Sequence, residues 1–219
     1  MAPIARPKPL CRGGDRGQAR FLGPARRFVH RQPWRSRRHY REREAERARR
    51  LRLHFVGTSY LAAGEGTPSV LAQAAACGVS DLVAEVPHRI GFFESLRLQQ
   101  EADGLLLLGS ADPAYSPSKI YIYYLAARPI LGLVFTGSVM ARLLDELGCA
   151  AMVRIAPATS AEEIFSGLHS WFDRIVTDDA GALLPRRNDD YFSAHFLAEE
   201  LTRQQCALFE TALRAAPSA

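Results

Sequence analysis

GLLLLGSADPAYSPSKIYIYYLAARPILGLVF, residues 104–135, decides the fold. Two apolar runs of strand length, GLLLLG at 104–109 and PILGLVF at 129–135, enclose a segment of helical character that ends at Arg128-Pro129. Both runs are apolar at consecutive positions, not alternate ones, which is the pattern of a parallel strand covered on both faces. Parallel neighbours need a crossover, and the enclosed segment has the length and composition of a crossover helix.

The same grammar extends in both directions. LHFVG (53–57), DLVAEV (81–86) and AAMVRI (150–155) are further strand-length runs. Helical segments are expected near 67–77, 92–102, 117–127, 137–147 and 160–175, with a last one near 191–215. Strands alternating with helices predict one Rossmann-like α/β domain over 52–215, a parallel sheet of about five or six strands with helices on both faces. No internal repeat is present. With 47% apolar residues in 219, the chain can fill such a core. Four cysteines, at 11, 77, 149 and 206, are too scattered for a disulfide scaffold or a Cys-rich zinc site. No apolar run approaches the roughly 18 residues of a membrane span. These features predict a reduced, cytoplasmic setting.

Charge divides the chain. Residues 1–53 hold 17 Lys plus Arg against 4 acids, a net of +13, whereas the remainder carries −8. The segment lacks sustained periodicity, so residues 1–51 are expected to form a disordered Arg-rich tail; only 42–50, EREAERARR, is helix-prone. Trp34, Tyr40 and Phe28 between arginines would suit nucleic acid. An Arg-rich start also fits organellar targeting. The third reading is preferred to both. Arg outnumbers Lys 26 to 2, a bias of GC-rich coding sequence, in which a misplaced start or frame slip yields such peptide.

Ligands of open α/β sheets bind at the carboxyl ends of strands, so those loops carry the functional reading. GTSYLAAGEGTPS (57–69) offers glycines and hydroxyls, with Thr67 as expected N-cap and Pro68 at the first helical position. It is either a phosphate loop or an ordinary strand-to-helix turn. Gly64-Glu65-Gly66 with Glu85 about 20 residues on imitates a dinucleotide fingerprint, but the glycines stand seven residues past Gly57. After the third run, Ser116 is the expected N-cap and Pro117 the first helical residue, which puts Lys119 in the first turn, where the helix dipole disfavours a cation. A local rule broken at the ligand end of a strand points to an anion there. Arg89 could reach a phosphate or stack on a base, or be a rim charge. The histidines show no paired spacing, and no metal is expected. Asp112 is expected to stabilise a turn, and Cys77 and Cys149 to sit in the core.

The string from Ser118 to Leu131, SKIYIYYLAARPIL, resembles the sKxxEYlaxgrPvl segment of GT-B glycosyltransferases of the group 1 type. FVGTSY resembles the strand that opens their C-terminal, donor-binding half, and RIGFFESLRLQQEADGLLLLGS resembles the helix and third strand that follow. The resemblance covers roughly 52–213. It implies the C-terminal half of a GT-B fold that binds a nucleotide-sugar for transfer to an acceptor. Lys119 and Ser118 would then hold the donor diphosphate, with Gly57, Thr58 and Ser59 alongside, and Arg89 and Glu94 would be nucleotide contacts. Catalytic residues are not identified, and no cofactor or metal is implied. The motif's glutamate, a ribose contact, falls at Ile122, so Glu94 or another acid replaces it or nucleotide affinity is reduced. Residues 1–51 are too few for the N-terminal acceptor domain. The resemblance therefore implies an incomplete enzyme, served by a separate N-terminal half or a homodimer, with the last helix exposing an apolar face. The alternatives are an NAD(P)-binding or other Rossmann-type module and, last, a basic-arm nucleic-acid binder.

Overall fold

The computed structural model describes residues 19–23, 49–59, 66–112, 114–115, 118–177 and 186–215, with backbone alone for 19–23 and 215. Its centre is a six-stranded parallel sheet, β1 (Ala19–Gly23), β2 (Leu51–Val56), β3 (Val83–Val86), β4 (Gly104–Leu108), β5 (Ile130–Phe135) and β6 (Ala151–Ile155), in the order β3-β2-β1-β4-β5-β6. The helices are α1 (Ser69–Ala76), α2 (Phe92–Glu101), α3 (Lys119–Ala126), α4 (Val139–Leu147), α5 (Ala161–Val176), α6 (Asp189–Phe196) and α7 (Ala198–Ala215).

The two-sided apolar runs behave as the sequence predicts. In β4, Leu105 and Leu107 face one layer and Leu106 the other. In β5, Ile130 and Val134 join the first layer, and Leu131 and Leu133 the second. One layer is closed by α3, α4 and Phe192 of α6. The other is closed by α1 and by the stripe Ile164, Leu168, Trp171, Phe172, Ile175 and Val176 of α5. Each face of the sheet therefore has its own core, as a Rossmann-like sheet requires. α5 starts at a capping box: Ser160 Oγ accepts from Glu163 N, and the Glu163 carboxylate accepts from Ser160 N at 2.7 Å. That amide holds the Glu163 carboxyl below its ordinary range.

Two expectations need correction. Ala19–Gly23 lies inside the stretch expected to be a disordered tail, yet it forms β1 and pairs with β2 from Ala19↔Leu51 to Gly23↔Phe55 and with β4 at Phe21↔Gly104 and Leu22↔Leu105. Five residues, ARFLG, among arginines give no readable period, and the strand is defined by the partners on its two edges. The run at 53–57 is consequently not the opening strand of the sheet but its second, β2. The last helix expected near 191–215 is two helices, because Leu197 is extended at φ −74°, ψ 133°. No Gly or Pro marks the break in the sequence.

The break lets α6 dock. Tyr124 of α3 stacks on Phe192 with centroids 4.3 Å apart and planes 3° apart, and its hydroxyl donates to Asp189 Oδ1 at 2.7 Å. The Arg187 guanidinium lies 4.2 Å from the Tyr124 ring centroid and pairs with Asp189 at 2.9 Å. The Tyr124 hydroxyl, then Arg187, hold the Asp189 carboxyl below its ordinary range. Asn188 joins two helix ends: its Oδ1 caps Tyr191 N, while its Nδ2 and N donate to the carbonyls of Glu146 and Leu147. Gly148 ends α4 at φ +59°, and a Cβ there would overlap the Arg186 carbonyl oxygen.

Gly148→Ala combines a left-handed conformation costing about 1–2 kcal/mol with an overpacking cost of about 1–3 kcal/mol. Urea unfolding should show a loss on the order of 2–5 kcal/mol; a loss within error of zero would mean that the 186–188 segment does not lie against the α4 end. Asp189 has a depressed folded pKa, so its contribution is fully present above the ordinary carboxylate range and is lost as pH falls through the folded value. Melting temperature followed from about pH 6 to about pH 2 should fall less steeply in Asp189→Asn than in the parent chain. Parallel acid limbs would remove Asp189 from the account.

Candidate functional site

The chain lays down β1, β2 and β3 outward in one direction, then returns to place β4 on the other side of β1. Neighbouring crossovers therefore leave in opposite directions at β1 and β4, and a crevice opens outside the carboxyl ends of those strands. From β1 the chain continues past Gly23 into residues outside the described ones. The rest of the edge is set by the ends of β2, β3 and β4.

At the end of β2, Gly57 turns at φ +70° and its amide donates to the Val86 carbonyl at 2.9 Å. The Ser59 amide donates to the Pro87 carbonyl at 2.8 Å. Gly66 then brings the chain back so close that a Cβ on it would lie 2.8 Å from Ser59 Cβ and 3.2 Å from Pro87 Cβ. The intervening part of the glycine loop lies outside the described residues. Thr67 does not cap α1; Pro68 takes the N-cap position and supplies no side-chain hydrogen bond. The cap comes from another strand. Glu85 of β3 accepts from Ser69 N at 3.2 Å on Oε1 and from Leu71 N at 2.7 Å on Oε2, and Thr58 Oγ1 donates to the same Oε1 at 2.6 Å.

This arrangement changes the meaning of several residues. A helix N-terminus attracts anions, and at α1 the anion is a carboxylate of the chain itself. Glu85, which the dinucleotide alternative needs on a ribose, instead joins β3 to α1. Thr58 is its third partner, and the Gly57 and Ser59 amides extend the β2–β3 ladder. The sequence did carry a signal: α1 has no acid in its first turn and no Ser, Thr, Asp or Asn at its N-cap, while an apolar strand carries a glutamate.

The end of β4 stands across β1 from that turn, two strand spacings or about 10 Å away in the sheet, and Ser118 and Lys119 follow it at the start of α3. Lys119 is the first residue of α3 and is half-buried. No acid lies in the first turn of α3, and the Ser118 side chain makes no capping hydrogen bond. The expected cap Ser116 and Pro117 lie outside the described residues. Just before them Asp112 accepts from Ala114 N at 2.9 Å, the turn role expected for it. Ile122 is half-buried within α3. Ala127, where the quoted motif has glycine, ends the helix in the left-handed region at φ +53°. Arg89, after β3, is exposed, and Glu94 is an exposed acid in the first turn of α2, where it suits the dipole. The structure thus divides the expected residues into a β2–β3 group and a β4–α3 group on either side of β1. Cys149 is buried, and burial pushes its thiol up to about 11, which makes it a packing residue and no nucleophile. Cys77 is half-buried and packs against the second layer.

No protein-family model matches the chain, and no curated protein does. Solved structures do. WaaG, a glycosyltransferase involved in lipopolysaccharide biosynthesis, superposes with a TM-score of 0.54 at 16% identity, over 88% of this chain and 46% of that one. The pneumococcal O-GlcNAc transferase GtfA, in complex with UDP and GlcNAc, superposes with a TM-score of 0.57 at 12% identity, over 90% of this chain and 36% of that one. The chain therefore has the Rossmann-like α/β fold found in GT-B glycosyltransferases, and it spans less than half the length of either relative.

Glu85→Ala removes a charged acceptor from two helix amides and a hydroxyl, and hydrogen bonds to charged groups contribute about 1.5–3 kcal/mol. Urea titration should show a destabilisation on the order of 2–3 kcal/mol, with Glu85→Gln losing less. Equal stability of parent and Ala variant would mean that Glu85 is not the cap of α1.

Proposed function

We propose that this chain is the nucleotide-sugar-binding half of a glycosyltransferase, working in the cytoplasm together with an N-terminal acceptor-binding half or a second copy of the chain. The observation that carries the reading is the start of α3. A helix that begins beside the β1/β4 crevice with a half-buried lysine, and without an acid in its first turn, is arranged for an anion. Diphosphate is the leaving group of glycosyl transfer. A cation and helix amides aimed at it stabilise charge that grows toward the transition state. Lys119 and Ser118 are therefore the proposed diphosphate residues. Gly57, Thr58 and Ser59 shape the far wall of the crevice, since a second anion at α1 would face Glu85. Arg89 and Glu94 are proposed outer contacts of the nucleotide. The fold shared with WaaG and GtfA supports the class, and a reducing setting suits the free Cys77, Cys149 and Cys206.

Lys119→Ala should weaken binding of a nucleoside diphosphate, UDP or GDP, by roughly ten- to more than a hundredfold, the worth of one charge-assisted phosphate contact. Binding of uridine or guanosine should change little, and Arg89→Ala should have the smaller effect. Calorimetry on the two variants measures this. Equal losses for nucleoside and diphosphate, or no diphosphate binding by the parent chain at millimolar concentration, would overturn the assignment.

A further inference from the structure

We draw no further inference here: the strongest candidate, the exposed apolar stripe of Leu201, Leu208, Phe209 and Leu213 along α7, carries nothing because nothing in the structure shows what covers it.

Discussion

Ala19–Gly23 hydrogen-bonds along both edges, to β2 on one side and to β4 on the other, and every other part of the sheet depends on that double pairing. Without β1 the sheet would be a pair, β3-β2, and a separate trio, β4-β5-β6. With it, six strands share one twist, and one apolar layer spans the join: Leu51, Leu53 and Phe55 of β2 share that layer with Leu106 and Leu131. A strand flanked on both edges gains ladder hydrogen bonds twice over, which offsets the weak strand character of a five-residue segment among arginines. The same strand creates the crevice, because the order of strands reverses beside it.

The two helix starts flanking that crevice are treated oppositely. At α1 the exposed amides receive the Glu85 carboxylate, so the positive end of the dipole is neutralised within the fold. At α3 a lysine stands where an acid would be expected, and the dipole and the ammonium act in the same direction. The two helix starts on either side of β1 therefore differ in electrostatic character. Ala127 adds a local cost to this element. An L-residue at φ +53° is strained by about 1–2 kcal/mol, and the helix keeps it because Ile130 of β5 must follow three residues later to enter the sheet.

The C-terminal part shows how packing and polarity assign different fates to neighbouring helices. α6 is held by an aromatic stack, a guanidinium over a ring, and an asparagine that serves two helix ends. α7, one residue later, carries an equally apolar stripe but finds no such surface among the described residues. Helices in proteins draw most of their stability from packing an amphipathic face, and that contribution is small for α7 among the described residues.

The sequence by itself determined the class of fold. Runs such as Leu105–Leu108 and Ile130–Phe135 can be satisfied only between two helical layers, and the breaks at Gly148 and Arg128-Pro129 are written in local backbone preference. It also determined that Lys119 would lie in the first turn of a helix, because the Ser-Pro-Ser-Lys spacing is local chemistry, although the helix starts at Lys119 itself and not at Pro117. Tertiary structure alone decided what has no local signature. β1 exists through its partners and not through a pattern of its own. Glu85 belongs to α1 only because parallel pairing sets β3 beside β2, opposite Phe55, with the helix start above it. The division between α6 and α7 falls at Leu197, a residue with every local reason to be helical, because Phe192 and Phe196 turn toward Tyr124 and Tyr121. Local preference is a property of a few consecutive residues, whereas these three features are properties of segments tens of residues apart, and only the folded chain brings such segments together.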